Sequence, residues 1–120
     1  MAAKDDLGRA GEQRAVRYLH DHGYEIIDRN WRCAQGELDI VALRRGTLVF
    51  VEVKTRTTEA FGHPFDAVDA RKRRRLWKLA HAWMQAHPDQ VHGREMRIDV
   101  IGIIGDDPDA GTLEHLRDIL

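Results

Sequence analysis

Asp39, Glu52 and Lys54 are the residues of this 120-residue chain whose types and spacing could do chemistry. Twelve residues separate the aspartate from the glutamate, which lies in "LVFVEVKTR", residues 48–56. Side chains alternate between faces along a strand, so Val49, Val51 and Val53 share one face while Leu48, Phe50, Glu52 and Lys54 share the other. Charges are almost never fully buried unless paired or bound to a metal. Glu52 and Lys54 therefore either end a strand in solvent or have a role. Hard cations such as Mg²⁺ take oxygen ligands, commonly one or two carboxylates completed by water and substrate phosphate. A lysine beside them can position a water or balance charge on a reacting phosphate.

For the pair to meet, residues 37–43 ("ELDIVAL") and 47–55 ("TLVFVEVKT") must form a hairpin. With Arg45 and Gly46 as its turn, Arg44 faces Thr47, and Leu38, Ile40 and Ala42 fall on the face of Val49, Val51 and Val53. A slip of one residue would scatter these apolar side chains, so burial selects the register. The same register predicts Asp39 opposite Glu52 and Glu37 opposite Lys54. Two carboxylates about 5 Å apart at an effective dielectric of ~20 repel by roughly 3 kcal/mol. Either one of them keeps its proton or a divalent cation sits between them. Glu37 is the expected salt-bridge partner of Lys54, should Lys54 be structural.

The remaining elements follow from pattern. A first helix is expected from caps at Asp5 and Asp6 to about His22, stopped by Gly23, with Leu7, Gly11, Ala15, Tyr18 and Leu19 facing inward. Gly8 and Gly11 would let it approach the sheet closely, and Glu12 borders its inward stripe, either as a site residue or as a surface glutamate. Residues 24–32 and 96–104 read as strands, and residues 70–86 as a second helix capped by Asp69 and ended before Pro88. "TLEHLRDIL" reads as a short terminal helix. The order α-β-β-β-α-β describes one α/β domain over residues 1–120, a mixed sheet flanked by helices.

Composition narrows the function classes. The chain is 42% hydrophobic and 32% charged with a net charge of −1, so it has no global basic field and any nucleic-acid contact must be local. "ARKRRRLWK", residues 70–78, holds six of the nineteen Lys and Arg residues. Arg71, Arg74, Arg75 and Lys78 form a helical stripe suited to a phosphate backbone, apart from the buried stripe of Leu76, Leu79, Ala80 and Trp83. Lys72 points toward the apolar stripe, as a second cation near the site or a snorkelling stem. No zinc-ligand spacing links the seven histidines with the single Cys33. His63 reads as a loop histidine, Asp99 as a charge partner of Arg97, and the tryptophans as packing residues, Trp77 being the one off the apolar stripe. Without a membrane-length apolar run or a secretory profile, a cytoplasmic location with no membrane partner is expected.

"GRAGE" (8–12), "GELDIVA" (36–42), "LVFVEVKTR" (48–56), "FGHPFDAV" (61–68), "RIDV" (97–100) and "LEHLRD" (113–118) resemble the YraN-type family of small bacterial proteins. That family is described as candidate endonucleases similar to archaeal Holliday junction resolvases. Asp39 and Glu52-Val53-Lys54 resemble the PD-(D/E)xK signature of the restriction-endonuclease-like superfamily, although the Pro-Asp that names it is absent, since Glu37-Leu38 precedes Asp39. The resemblance implies a restriction-endonuclease-like core, a Mg²⁺ or Mn²⁺ ion on Glu12, Asp39 and Glu52, and Lys54 as the motif lysine. It implies hydrolysis of phosphodiester bonds in DNA, with branched or non-duplex structures as substrates. Symmetric action on a junction would require a homodimer, and the need for a further protein partner is left open. The alternative is a catalytically silent nucleic-acid-binding or protein-interaction module on the same fold.

Overall fold

The computed structural model describes residues 3–60 and 62–120, so Phe61 and the side chain of Asp5 lie outside the described residues. The elements are α1 (Ala3–Asp21), β1 (Glu25–Cys33), β2 (Gly36–Arg44), β3 (Thr47–Arg56), a 3-10 helix (Pro64–Ala67), α2 (Ala70–Ala86), α3 (Pro88–Val91), β4 (Glu95–Ile104) and β5 (Thr112–Leu116). They build an α/β fold around one five-stranded open sheet in the order β1-β2-β3-β4-β5. β3 and β4 are parallel, joined through α2, and the other neighbours are antiparallel.

The β2–β3 turn forms as its residues require. Arg45 and Gly46 both take positive φ, 51° and 80°, as in the tight turns whose twist matches the flanking strands. The ladder then runs from Arg44↔Thr47 to Ile40↔Val51. β3 and β4 carry near-continuous apolar runs because both faces are covered. On one face α1 packs Ala15 and Leu19 against Ile40, Ala42, Val49, Val51, Ile101 and Ile103. On the other, α2 packs Leu76, Leu79, Ala80 and Trp83 against Val41, Leu48, Phe50 and Ile98. Asp69 starts α2 by accepting the Lys72 N–H at 3.0 Å, which satisfies one orphan donor of the first turn.

Four expectations are corrected. Leu38 packs on the α2 side rather than with Ile40 and Ala42, so strand alternation slips between Leu38 and Ile40. The opposed pairing of Asp39 with Glu52 is absent from the ladder, which stops at Ile40↔Val51. In a regular continuation the Val53 N–H would go to the Leu38 carbonyl, but the Asp39 Oδ2 accepts it instead at 2.8 Å. α1 already includes Ala3, so Asp5 and Asp6 lie within the helix rather than capping it. The expected terminal helix is instead the edge strand β5, paired with β4 from Val100↔Leu116 to Ile104↔Thr112. Its Leu113 and His115 turn inward while Thr112, Glu114 and Leu116 face out, the period-2 pattern of a half-buried strand. No described helix is long and apolar enough to cross a membrane.

Candidate active site

The slip at Asp39 builds the site. Asn30, between the Arg29↔Ile40 and Trp31↔Leu38 pairs of β1 and β2, takes a left-handed φ of 52°. With its amide nitrogen turned to the carboxylates, Asn30 donates to Glu12 Oε1 at 2.8 Å and to Glu37 Oε1 at 2.9 Å. Glu12 itself is brought near by Gly11, where an added Cβ would lie 2.0 Å from Thr55 Oγ1. α1 can touch β3 this closely only with a glycine at that point. Gly8 has open space at the same test and lines the cleft instead.

Asp39 and Glu52 end in hydrogen-bond contact. Burial, the hydrogen bond with Glu52 and the charge of Glu52 push the Asp39 carboxyl up to about 9, against the Val53 N–H. Glu52, only 6% exposed, is driven up by burial but more than recovered by the Asp39 hydrogen bond and two lysines, so it stays ionised below its usual range. Lys54 Nζ lies 3.7 Å and Lys72 Nζ 3.3 Å from the same Glu52 Oε2. Burial lowers the Lys72 pKa, the charge of Glu52 works against that, and Lys54 and Arg75 add to the lowering. Glu12 is held above its ordinary value by burial and by Glu37 and Glu52, partly relieved by Arg29. Burial and the facing carboxylate thus favour the protonated form of Asp39 and the ionised form of Glu52.

An open cleft of about 330 Å³ faces this cluster, lined by Gly8, Glu12, Asp39, Lys54 and Arg56 among others. Its donors are hard carboxylate oxygens, which suit Mg²⁺ or Mn²⁺ bound through one or two carboxylates with the remaining positions open. Asp39 and Glu52 fit such an ion. Glu12, tied to Asn30, does not join them closely: among the described residues the three potential ligands whose donor atoms lie within 4.8 Å of one another are Glu59, His63 and Glu114. That second group is poorly suited to a metal. His63 Nδ1 accepts the Phe65 N–H at 3.1 Å, capping the 3-10 helix. Nε2 must then carry the proton, donated to Glu114 at 3.1 Å, leaving no ring lone pair for an ion.

The structure thus brings together Asp39, Glu52, Lys54 and Lys72, with Glu12 on the wall of the same cleft as Asp39 and Lys54. Glu37 is not the partner of Lys54; it pairs with Arg32 at 3.0 Å and shares Asn30 with Glu12. Asn30 was the residue sequence reasoning missed, because an asparagine inside a strand carries no signal until its φ is known. Arg71, Arg74, Arg75 and Lys78 lie exposed on α2. A shallow pocket lined by Asp69, Arg71, Lys72 and Arg75 leads from the buried lysine to that stripe. Trp77, the tryptophan expected off the apolar stripe, is 45% exposed, because it faces away from the helix's buried stripe. Asp99 pairs with Arg97 as expected.

Comparison with known proteins agrees over the whole chain. The family described as "Uncharacterised protein family UPF0102" matches residues 11–103. A UPF0102 protein of Beutenbergia cavernae is 50% identical over 119 residues, 99% of each chain. One from Arthrobacter sp. is 49% identical, again over 99% of each, and UPF0102 protein Lxx14785 of Leifsonia xyli is 42% identical over the full length of both. The chain belongs to the UPF0102 family.

Proposed function

We propose that this protein is a metal-dependent endonuclease of the PD-(D/E)xK type, hydrolysing phosphodiester bonds of DNA in branched or non-duplex structures. The observation that carries the reading is the placement of Asp39 in one cleft with Lys54 and Glu12, beside a buried Glu52 that meets Lys54 and Lys72. A restriction-endonuclease-like core is supported by the order of α1, three antiparallel strands, α2 and a β4 parallel to β3. Asp39 and Glu52 would hold Mg²⁺ or Mn²⁺, with Glu12 acting through water or a second ion. A bound ion supplies charge stabilisation to the phosphate and acidifies a water. Asp39 gives up its proton to become a ligand. Lys72 keeps Glu52 ionised in a half-dry setting, and Lys54, at the cleft, orients the attacking water. The exposed stripe of α2 holds backbone phosphates without reading sequence.

One observation favours the silent binding module instead: Glu52 is already neutralised by two lysines. The two readings part in a calorimetric titration of Mn²⁺ and Mg²⁺ into the protein and into Glu52→Ala, followed by cleavage assays on branched, flapped and paired DNA. Saturable binding lost in the variant, with metal-dependent nicking abolished by Lys54→Ala, supports the nuclease. Absence of metal binding by the unaltered protein would sink it.

A further inference from the structure

Trp77 is one of three large apolar side chains that the described fold leaves exposed, and it sits on the basic helix. Its indole stacks on the His81 imidazole one turn on, with ring centroids 3.8 Å apart and planes 28° from parallel. His81 Nδ1 is buried without a hydrogen-bond partner, so the described hydrogen bonds do not fix that ring and its stacking contact does. One indole face is thus covered and held, while the exposed remainder faces solvent.

The neighbours of this pair decide what could cover it. On a helix, residues three and four apart share a face, which places Arg73 and Arg74 one turn before Trp77 and Lys78 beside it. Arg71, Arg73, Arg74, Arg75 and Lys78 make no salt bridge among the described residues. A protein-docking patch has an apolar centre depleted of charge, and here the exposed apolar surface of α2 is bordered on its N-terminal side by Arg73 and Arg74 and followed by Lys78. Unneutralised cations interleaved with a flat aromatic suit a polyanion that also presents π-faces. Bases within a duplex are stacked on each other and cannot offer a face, whereas unpaired bases can.

We infer that the Trp77–His81 stack is a platform for one unpaired nucleobase, with the α2 cations that precede it and Lys78 beside it holding phosphates of the same strand. The inference rests on the nucleic-acid reading above and narrows its substrate class to DNA with a single-stranded segment. The fixed indole lowers the ordering cost of binding. Lys72, five residues before Trp77, contacts Glu52, so a strand lying along α2 from the platform runs toward the cleft.

The test is fluorescence anisotropy with a short thymidine oligonucleotide, a gapped duplex and a fully paired duplex, each at several salt concentrations. Proteins compared are the unaltered chain, Trp77→Ala and Trp77→Phe. Losing one base stack by alanine substitution costs roughly 5- to 150-fold in affinity. Trp77→Ala is expected to lose that on the single-stranded and gapped probes alone, with an unchanged salt slope, and Trp77→Phe to keep most of it. Equal affinity of Trp77→Ala and the unaltered chain for the oligonucleotide overturns the inference. So does a parallel loss on all three probes, or a sedimentation result in which Trp77→Ala dissolves a dimer. Mn²⁺ and Mg²⁺ binding by the unaltered chain and by Glu52→Ala judges the nuclease reading separately, since neither measurement involves DNA or Trp77.

Discussion

Two buried carboxylates, Asp99 and Glu52, each anchor a polar cluster on this sheet, and they are managed in opposite ways. Asp99, wholly buried in β4, is satisfied by donors from several elements. Arg97 Nε reaches it at 3.0 Å, His115 Nε2 at 2.8 Å and the Asp118 N–H at 3.0 Å. Arg97 also donates to the Tyr24 hydroxyl at 2.8 Å, and His115 Nδ1 meets the Tyr18 hydroxyl at 2.9 Å. Burial would raise the Asp99 pKa, but the hydrogen bonds from His115, Arg97 and the Asp118 N–H outweigh it and hold it low. At Asp39 and Glu52 burial is met by another carboxyl, a shared proton and two lysines crowded on one oxygen. A complete network needs nothing further and locks α1, β4 and β5 together. An incomplete one, opening on a cleft, is the arrangement that the proposed metal site calls for.

The sharpest way to break this comparison is to disable the complete cluster. Asp99→Ala strips the acceptor from Arg97, His115 and the Asp118 N–H, and breaking a buried pair typically costs about 3 to 5 kcal/mol. Urea denaturation should show a loss of that size. Its pH signature is also set. A carboxyl whose folded pKa lies below its unfolded value, about 3.9, contributes stability above that value and loses it as pH falls through the folded pKa. The gap between the native protein and Asp99→Ala should therefore hold at neutral pH and shrink below about pH 4. A variant as stable as the native protein would mean that the network is ornamental.

Next in size is the exposed stripe, which belongs to the incomplete cluster through Lys72. Replacing Arg71, Arg74, Arg75 and Lys78 together by alanine should lower the slope of log affinity for DNA against log salt by roughly 3, at about 0.7 to 0.9 for each phosphate no longer neutralised. Denaturation midpoints should barely move, since exposed side chains away from structural features contribute little. An unchanged salt slope would detach the stripe from nucleic-acid binding.

How legible these clusters were in the sequence differs for physical reasons. α2 was readable to the residue because Asp69 caps it, its apolar positions keep helical period and Pro88 follows. The turn at Arg45-Gly46 and the apolar alternation set the ladder down to Ile40↔Val51. What failed lies where tertiary contacts override period. Leu38 and Ile40 look like face-mates, but the kink at Asn30 and the Asp39 carboxyl standing in for a carbonyl turn the strand between them. β5 was misread because Leu113 and Leu116, three apart, suit a helix; the inward His115 belongs to a strand only once Asp99 is there to receive it. The complete cluster was thus seen only as the pair Arg97 and Asp99, because its other members are distant in sequence and chemically ordinary.

The smallest expected effect discriminates most between the clusters. Asp39 already carries a proton, so Asp39→Asn is close to a neutral copy of it: an amide oxygen can still accept the Val53 N–H, and its nitrogen can donate to Glu52. Stability below about pH 4, where the carboxyl is protonated in both the folded and the unfolded chain, should stay within about 1 kcal/mol of the native protein, a far smaller change than the several lost at Asp99 near neutral pH. The sign of the pH dependence is opposite too. Asp39 is raised, to about 9, so above the unfolded pKa near 3.9 the folded chain holds a proton that the unfolded chain has released. Stability from this group therefore falls as pH climbs from about 4 toward about 9, and Asp39→Asn, which has no such proton, should gain on the native protein across that window. The same proton must leave when a cation binds, so Mn²⁺ affinity should rise with pH, and calorimetry in buffers of different ionisation enthalpy should detect proton release that Asp39→Asn lacks. If Asp39→Asn instead loses as much stability as Asp99→Ala, Asp39 is a structural residue and the contrast between the two clusters collapses.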